Sequence, residues 1–201
     1  MHTHGPTFFV FAGNNGSGKS TLRSLIVDKI GVETNIDPDM IARRFDVSQP
    51  EKRRLSAGKE VIHLINKNIS EGNDFSIETT LAGKLASRQI HKAKRMGYEI
   101  TMFYIGLNNV QQNIERVAMR VRNGGHHIPT KDILRRSTST IDNLIKISPI
   151  IDHLLIIDNS QDAGNLLLSV SNGVIIDEPN ELLTWVKEIK ERLLGDNRHL
   201  E

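Results

Sequence analysis

The sequence predicts an α/β fold: a mostly parallel sheet of five strands with helices on both faces, followed by a C-terminal β-hairpin and a closing helix. Three observations predict it. Short, apolar, β-rich runs alternate with helical patterns of period 3.6 along most of the 201 residues. Glycines stop the helical patterns at Gly31, Gly72, Gly97 and Gly124–Gly125. A glycine-rich loop joins the first apolar run to the first helix, and its residues have the chemistry of a phosphate cradle.

That loop lies in Thr7–Leu22, TFFVFAGNNGSGKSTL. The apolar strand ends at Ala12. Gly13, Asn14, Asn15, Gly16, Ser17 and Gly18 turn the chain, and Lys19, Ser20 and Thr21 complete G-x-x-x-x-G-K-[ST]. Glycine lets the backbone wrap so that consecutive N–H groups point at phosphate oxygens. A helix starting near Ser17 aims its positive end at the same anion. Lys19 supplies a mobile charge for the outer phosphates, and the Ser20 hydroxyl is placed to ligate Mg²⁺ beside ATP. The motif makes the expected fold a P-loop NTPase-type three-layer sandwich with strand order 2-3-1-4-5.

The remaining elements follow in order. Residues 17–30 read as a helix with Leu22, Leu25, Ile26 and Ile30 inward. Val32–Ile36 is a short strand that empties into Asp37-Pro38-Asp39, and a helical turn starts at Met40. Residues 46–54 are polar and read as a loop or a mobile helical segment. A helix over Leu55–Glu71, a strand over Asp74–Thr80, a basic helix over Lys84–Met96 and a long strand over Tyr98–Leu107 come next. Val110–Arg122 is helical. Gly124–Gly125 and Pro129 mark a hinge, and Thr130 caps a helix over residues 131–146. Asp152–Asp158 is the fifth strand. Leu166–Val170 and Val174–Asp177 flank a hairpin turn, and Glu181–Leu194 is a closing amphipathic helix. No linker interrupts this pattern. The reading is one domain over 1–201, with residues 108–146 as a helical, lid-like segment.

Composition excludes several classes of function. With 26 Lys+Arg against 24 Asp+Glu the net charge is +2, so no global basic field points to duplex nucleic acid. Aromatics are 4%, with no basic–aromatic interleaving for single strands. The absence of cysteine excludes disulfides, a thiol nucleophile and a thiolate zinc site. No apolar run has membrane-spanning length, and a cytoplasmic protein without membrane contact is the expectation.

In a sheet of this kind ligands sit beyond the carboxyl ends of the strands. Asp39 falls there. It can accept the proton of a substrate hydroxyl attacking a γ-phosphoryl group, or it can simply cap the helix that follows. Asp37, two residues earlier, points the same way if the chain is still extended. Glu78 ends the third strand, where it can hold a Mg²⁺-bound water or a substrate hydroxyl, or be a solvated strand end. Arg116 and Arg120 share a helix face and suit charge neutralisation on a transferring phosphoryl group. Arg122, Arg135 and Arg136 lie nearby in sequence. His126 and His127 are adjacent and lack metal-ligand spacing. The segment Leu154–Asp158 more plausibly frames a nucleoside than serves as a Walker B strand.

Several segments together carry a resemblance: GNNGSGKST (Gly13–Thr21), NIDPDMIA (Asn35–Ala42), FSIETTLAG (Phe75–Gly83), GYEITMFYIGL (Gly97–Leu107), RVAMRVRNGGHHIP (Arg116–Pro129), LRRS (Leu134–Ser137) and IIDNS (Ile156–Ser160). In this order they resemble the zeta-toxin-like P-loop kinases, in particular a branch of presumptive ATPases, over nearly the whole chain. The glycine loop is shared widely; the ETT and GGHxIP segments are narrower signals. The resemblance implies Asp39 as general base and Glu78 and Thr80 as contacts to the acceptor; Asp37, from its place beside Asp39, is the further acceptor-binding residue expected. It also implies Lys19 on the phosphates, Ser20 on Mg²⁺, and Arg116 and Arg120 facing the phosphates. The best-known members of that family are toxins that phosphorylate a hydroxyl of UDP-N-acetylglucosamine and are neutralised by a small helical antitoxin. The expected activity is ATP-dependent phosphorylation of a small hydroxyl acceptor. The competing readings are an ATP-binding switch or interaction module and, more weakly, a kinase for polynucleotide ends.

Overall fold

The computed structural model describes residues 5–45, 50–161 and 164–196. Its elements are β1 (Thr7–Ala12), α1 (Lys19–Ile30), β2 (Thr34–Ile36), α2 (Pro38–Arg43), α3 (Pro50–Glu71), β3 (Phe75–Thr79) and α4 (Lys84–Arg95). There follow β4 (Glu99–Gly106), α5 (Val110–Arg122), α6 (Thr130–Ile147), a 3₁₀ turn (Ser148–Ile150), β5 (His153–Asp158), β6 (Asn165–Ser171), β7 (Val174–Asp177) and α7 (Thr184–Asp196).

The sheet order is β2-β3-β1-β4-β5-β6-β7. The first five strands are parallel, and β6 and β7 extend the sheet antiparallel. This is the expected 2-3-1-4-5 order with the hairpin added at one edge. Asn172 and Gly173 form the hairpin turn with φ of 48° and 78°, as a two-residue turn with left-handed central residues requires. Of the stretch 46–54, read as a loop or a mobile helical segment, the part from Pro50 onward is helical, and residues 46–49 lie outside the described set.

Alternation along β1 divides the interior into two layers. Phe8, Val10 and Ala12 enter the larger core with α3, α4, α6 and α7, where Phe8 stacks on Phe75 at 4.3 Å. Phe9 and Phe11 face the other side with Leu22, Ile26 and Val27 of α1, and Phe11 stacks on Phe103 at 4.8 Å. The inward stripe of α1 differs from the expected one: Leu25 is 60% exposed and Ile30 40%. The helix is rolled so that Arg23, one position after Leu22, turns inward instead. The starts of α6 and α7 also differ. Pro129 occupies the cap position of α6 with Thr130 already helical, and α7 begins at Thr184, not Glu181. Leu182 and Leu183 still pack on the core from the preceding turn.

Candidate active site

The loop between β1 and α1 has the shape its glycines predict. Gly16 has φ 76°, and a Cβ there would lie 2.6 Å from the Asn113 carbonyl oxygen, so only glycine fits against α5. Gly18, at φ 91°, caps α1, which therefore starts at Lys19 and not at Ser17. Ser17 is fully buried. Two of the motif's four variable positions, Asn14 and Asn15, hold the loop through their side chains. Asn14 Nδ2 donates to the Ile133 carbonyl at 3.0 Å, and Asn15 Oδ1 accepts from Arg136 Nη1 at 2.7 Å. Asn113 Nδ2 donates to the Asn15 carbonyl at 2.8 Å, and Asn159 Nδ2 to the Ser17 carbonyl at 2.8 Å. The loop is thus tied to α5, to the first turn of α6 and to the end of β5.

Lys19 Nζ donates to the Asn14 carbonyl at 2.9 Å. Burial pushes its ammonium down to about 8, against the opposing pull of Glu78, Asp39 and Asp37, while Arg120 pushes it further down. One lysine therefore feels every group that the sequence singles out as acid, base or phosphate clamp except Arg116. Parallel β1–β3 pairing sets Glu78 beside Phe11 at the carboxyl end of the sheet. Glu78 is 7% exposed and is not a solvated strand end. Its Oε2 accepts from Ser20 Oγ at 2.6 Å, and its Oε1 lies 3.2 Å from Arg23 Nη1. Just beyond β3, Thr80 is half-buried, and the next residue, Leu81, is buried at φ 56°. That bulky side chain at positive φ is held by Thr79 Oγ1, which accepts from Leu81 N at 2.9 Å, and by Asn143 Nδ2 on its carbonyl at 2.7 Å.

The capping role falls to Asp37 and not to Asp39. The extended chain ends at Asp37, which caps α2: its Oδ1 accepts from the backbone N–H of Asp39 at 2.8 Å and of Met40 at 3.2 Å. Asp37 is therefore the capping residue, and the two carboxylates are not on one face of a strand. Asp39 sits in the first turn of α2 with its side chain exposed. Its carboxylate is not used as the cap.

Arg116 and Arg120 share one face of α5. Arg116 Nη2 donates to the Ser160 carbonyl at 3.4 Å and Arg120 Nη2 to the His126 carbonyl at 3.3 Å. With Arg43 of α2, and with Met119, Asn123, Gly124 and Gly125, they line a cavity of about 460 Å³ between α2 and α5. Arg122 is exposed, and Arg135 pairs with Asp132 at 3.2 Å on the surface.

Two residues escaped the sequence reading. Arg23 lies four residues after Lys19 on the same helix face, which was the available signal. Arg43 lies four after Asp39. Removing Arg23 leaves Glu78 buried without its cation. Arg23→Met is expected to lower unfolding stability by about 3 kcal/mol, and Glu78→Gln in the same chain to restore part of it, both read by urea unfolding. An unchanged midpoint in Arg23→Met would show the pair to be inert.

The model of the Zeta toxin family matches residues 2–166. The chain belongs to the Zeta toxin family. An uncharacterized protein of Haemophilus influenzae is 38% identical over 125 residues, covering 62% of this chain and 87% of that one. Among solved structures, a chain of the PezAT chromosomal toxin–antitoxin system of Streptococcus pneumoniae superposes with a TM-score of 0.63 at 18% identity, over 98% of this chain and 88% of its own. A chain of the AvrRxo1-ORF1:-ORF2 structure with ATP gives 0.66 at 13% identity, over 95% of this chain and 64% of its own. At these identities the structural likeness is one of fold. This Zeta toxin family member has the P-loop kinase architecture, with the family match ending inside the hairpin. No helix among the described residues is long and apolar enough to cross a membrane.

Proposed function

We propose that the protein is an ATP-dependent kinase that phosphorylates a hydroxyl group of a small acceptor, with a UDP-sugar such as UDP-N-acetylglucosamine as the first candidate. The observation that carries this reading is the convergence on Lys19 of Asp39, Glu78 and Arg120, contributed by α2, β3 and α5. A phosphate cradle alone needs no carboxylate opposite it; a kinase needs one to take a hydroxyl proton.

In this reading the backbone of residues 13–21 and the Lys19 ammonium hold the ATP phosphates. The acceptor hydroxyl sits against Asp39. As its oxygen bonds to the γ-phosphorus, its proton passes to the Asp39 carboxylate. The bond from the γ-phosphorus to the bridging oxygen breaks, and ADP leaves with that electron pair. Arg116 and Arg120 offset the charge carried by the transferring group. Thr80 and Asp37 border the acceptor. The pairing of the Ser20 hydroxyl with the Glu78 carboxylate gives a hard oxygen donor set that suits Mg²⁺. Ser20 would ligate the ion and Glu78 would hold it directly or through water; the ion, when bound, would supply charge neutralisation on the phosphates. The AvrRxo1 neighbour with ATP supports the choice of nucleotide. The PezAT neighbour supports a protein partner, for which a small helical antitoxin is the candidate. The test is to add protein and ATP to a cell extract and search by mass spectrometry for a metabolite that gains one phosphate. Nucleotide binding without such a product would defeat the reading.

A further inference from the structure

We propose that Arg23 is a positioning residue for the metal site: it holds Glu78 so that the chain takes up Mg²⁺ only together with the nucleotide, with Glu78 meeting the ion through water. The inference rests on the kinase reading for the roles of Ser20 and Glu78. It adds the residue that sets when and how the ion is held.

Ser20 and Arg23 lie three residues apart on one face of α1, and the Glu78 carboxylate reaches both from the end of β3. Its Oε2 accepts the Ser20 hydroxyl hydrogen at 2.6 Å. That bond commits the hydrogen and leaves the lone pairs of Ser20 Oγ for an ion. Its Oε1 lies 3.2 Å from Arg23 Nη1, with the two side chains only 14% exposed for Arg23 and 7% for Glu78. A cation approaching Oε1 directly would face the guanidinium charge at close range.

The pair is not a closed one. Glu78 Oε1 and the Nε and Nη1 of Arg23 are buried and have no hydrogen-bond partner among the described residues. Buried polar atoms are ordinarily satisfied, so an open acceptor position here points to a ligand. A hydrogen of a metal-bound water fits it. Mg²⁺ gives up its waters reluctantly and keeps several of them in its sites.

Charge balance points the same way. Besides burial, Lys19 feels the charges of Glu78, Asp39, Arg120 and Asp37. With Lys19 and Arg23 counted, the cations Lys19, Arg23 and Arg120 match the carboxylates Glu78, Asp39 and Asp37. The nucleotide-free chain therefore offers a divalent cation no net attraction, and the phosphates of the nucleotide tip the balance in its favour. Without Arg23 the carboxylates are in excess, and Glu78 becomes a direct ligand for a divalent ion whether or not nucleotide is present.

The test uses Mn²⁺, which takes the same oxygen donors as Mg²⁺ and is read by electron paramagnetic resonance. It is titrated into the full chain without nucleotide, near neutral pH. Weak binding is expected for the parent, and binding at least about tenfold tighter for Arg23→Gln, since a unit charge a few ångströms from a divalent ion outweighs that factor even at an effective dielectric of about 20. Arg23→Lys, which keeps the charge, is expected to stay with the parent. Adding Glu78→Gln to Arg23→Gln is expected to abolish the gain. A variant that merely loosened the fold would weaken the ion or leave it unchanged, so a gain marks the positioning role. Equal or weaker Mn²⁺ binding in Arg23→Gln overturns the proposal, as does a gain that survives Glu78→Gln. Should Arg23→Gln not fold, the parent itself decides. Loaded with Mn²⁺ and the non-hydrolysable analogue AMPPNP and labelled with carbon-13 in its glutamates, it is expected to show no directly bound glutamate carboxylate by electron–nuclear double resonance. A directly bound one overturns the proposal. These measurements need neither acceptor nor turnover. The kinase reading fails on a different result, nucleotide bound with no phosphate-gaining metabolite in the extract.

Discussion

Asp39→Asn is expected to lower kcat for phosphoryl transfer by about 10²–10⁴-fold, the usual worth of a positioned general base, with nucleotide affinity within about twofold of the parent. The expectation follows from a division of labour between two neighbouring acids. Asp37 accepts both orphan N–H groups at the start of α2, so the fold does not call on the Asp39 carboxylate. Asp39 is exposed, yet close enough to Lys19 to raise its proton affinity. An amide of the same shape keeps the helix and loses the proton acceptor. Steady-state kinetics with any responsive acceptor, alongside calorimetry with AMPPNP, reads both quantities. A loss that falls on KM with kcat intact would assign Asp39 to acceptor binding instead.

Lys19→Met is expected to cost nucleotide binding itself, roughly tenfold to a hundredfold, as for hydrogen bonds to charged groups. The parent protein should also reveal Lys19 through pH. Burial holds its ammonium at about 8, below the ordinary 10.5 of a lysine. Phosphate oxygens placed beside it favour the charged form and lift it again. Above pH 8 the free protein has largely lost this proton, so binding must take one up, and affinity falls as pH rises. Well below pH 8 the lysine is charged in both states and the effect vanishes. Calorimetry at pH 9 in buffers of different ionisation enthalpy should give uptake approaching one proton for the parent and none for Lys19→Met. Equal uptake in both would move the coupling to another group.

Much of this arrangement was legible in the chain. The glycine loop follows from local pattern, whereas the strand order, and with it the placing of Glu78 beside β1, follows from the resemblance to P-loop kinases, because alternating elements alone admit other orders. What was not legible depended on where a helix begins or which way it is rolled. Asp37 and Asp39 are two residues apart, and either could cap. Pro38 decides, because proline at the first helical position makes the preceding residue the cap. The stripe Leu22, Leu25, Ile26, Ile30 looked like the buried face of α1. The helix instead turns Arg23 inward to meet Glu78, a partner 55 positions later that no periodicity reveals. Asn14 and Asn15 stand at positions where the motif accepts any residue, so their bonds to α5 and α6 carried no local signal. Those bonds tie α5 and the first two turns of α6 to the loop. The arginine cavity joins α2 to α5 across some seventy residues of chain and exists only in the folded protein.

The most direct measurement of the central claim is a paired one. Parent and Asp39→Asn proteins, each shown to bind AMPPNP equally, are incubated with ATP in the same cell extract, and phosphate-gaining metabolites are followed over time. The account predicts a product that accumulates with the parent and forms at least about a hundredfold more slowly with the variant. A product that forms at the same rate with both proteins would contradict it, because the carboxylate facing Lys19 would then have no part in moving the proton.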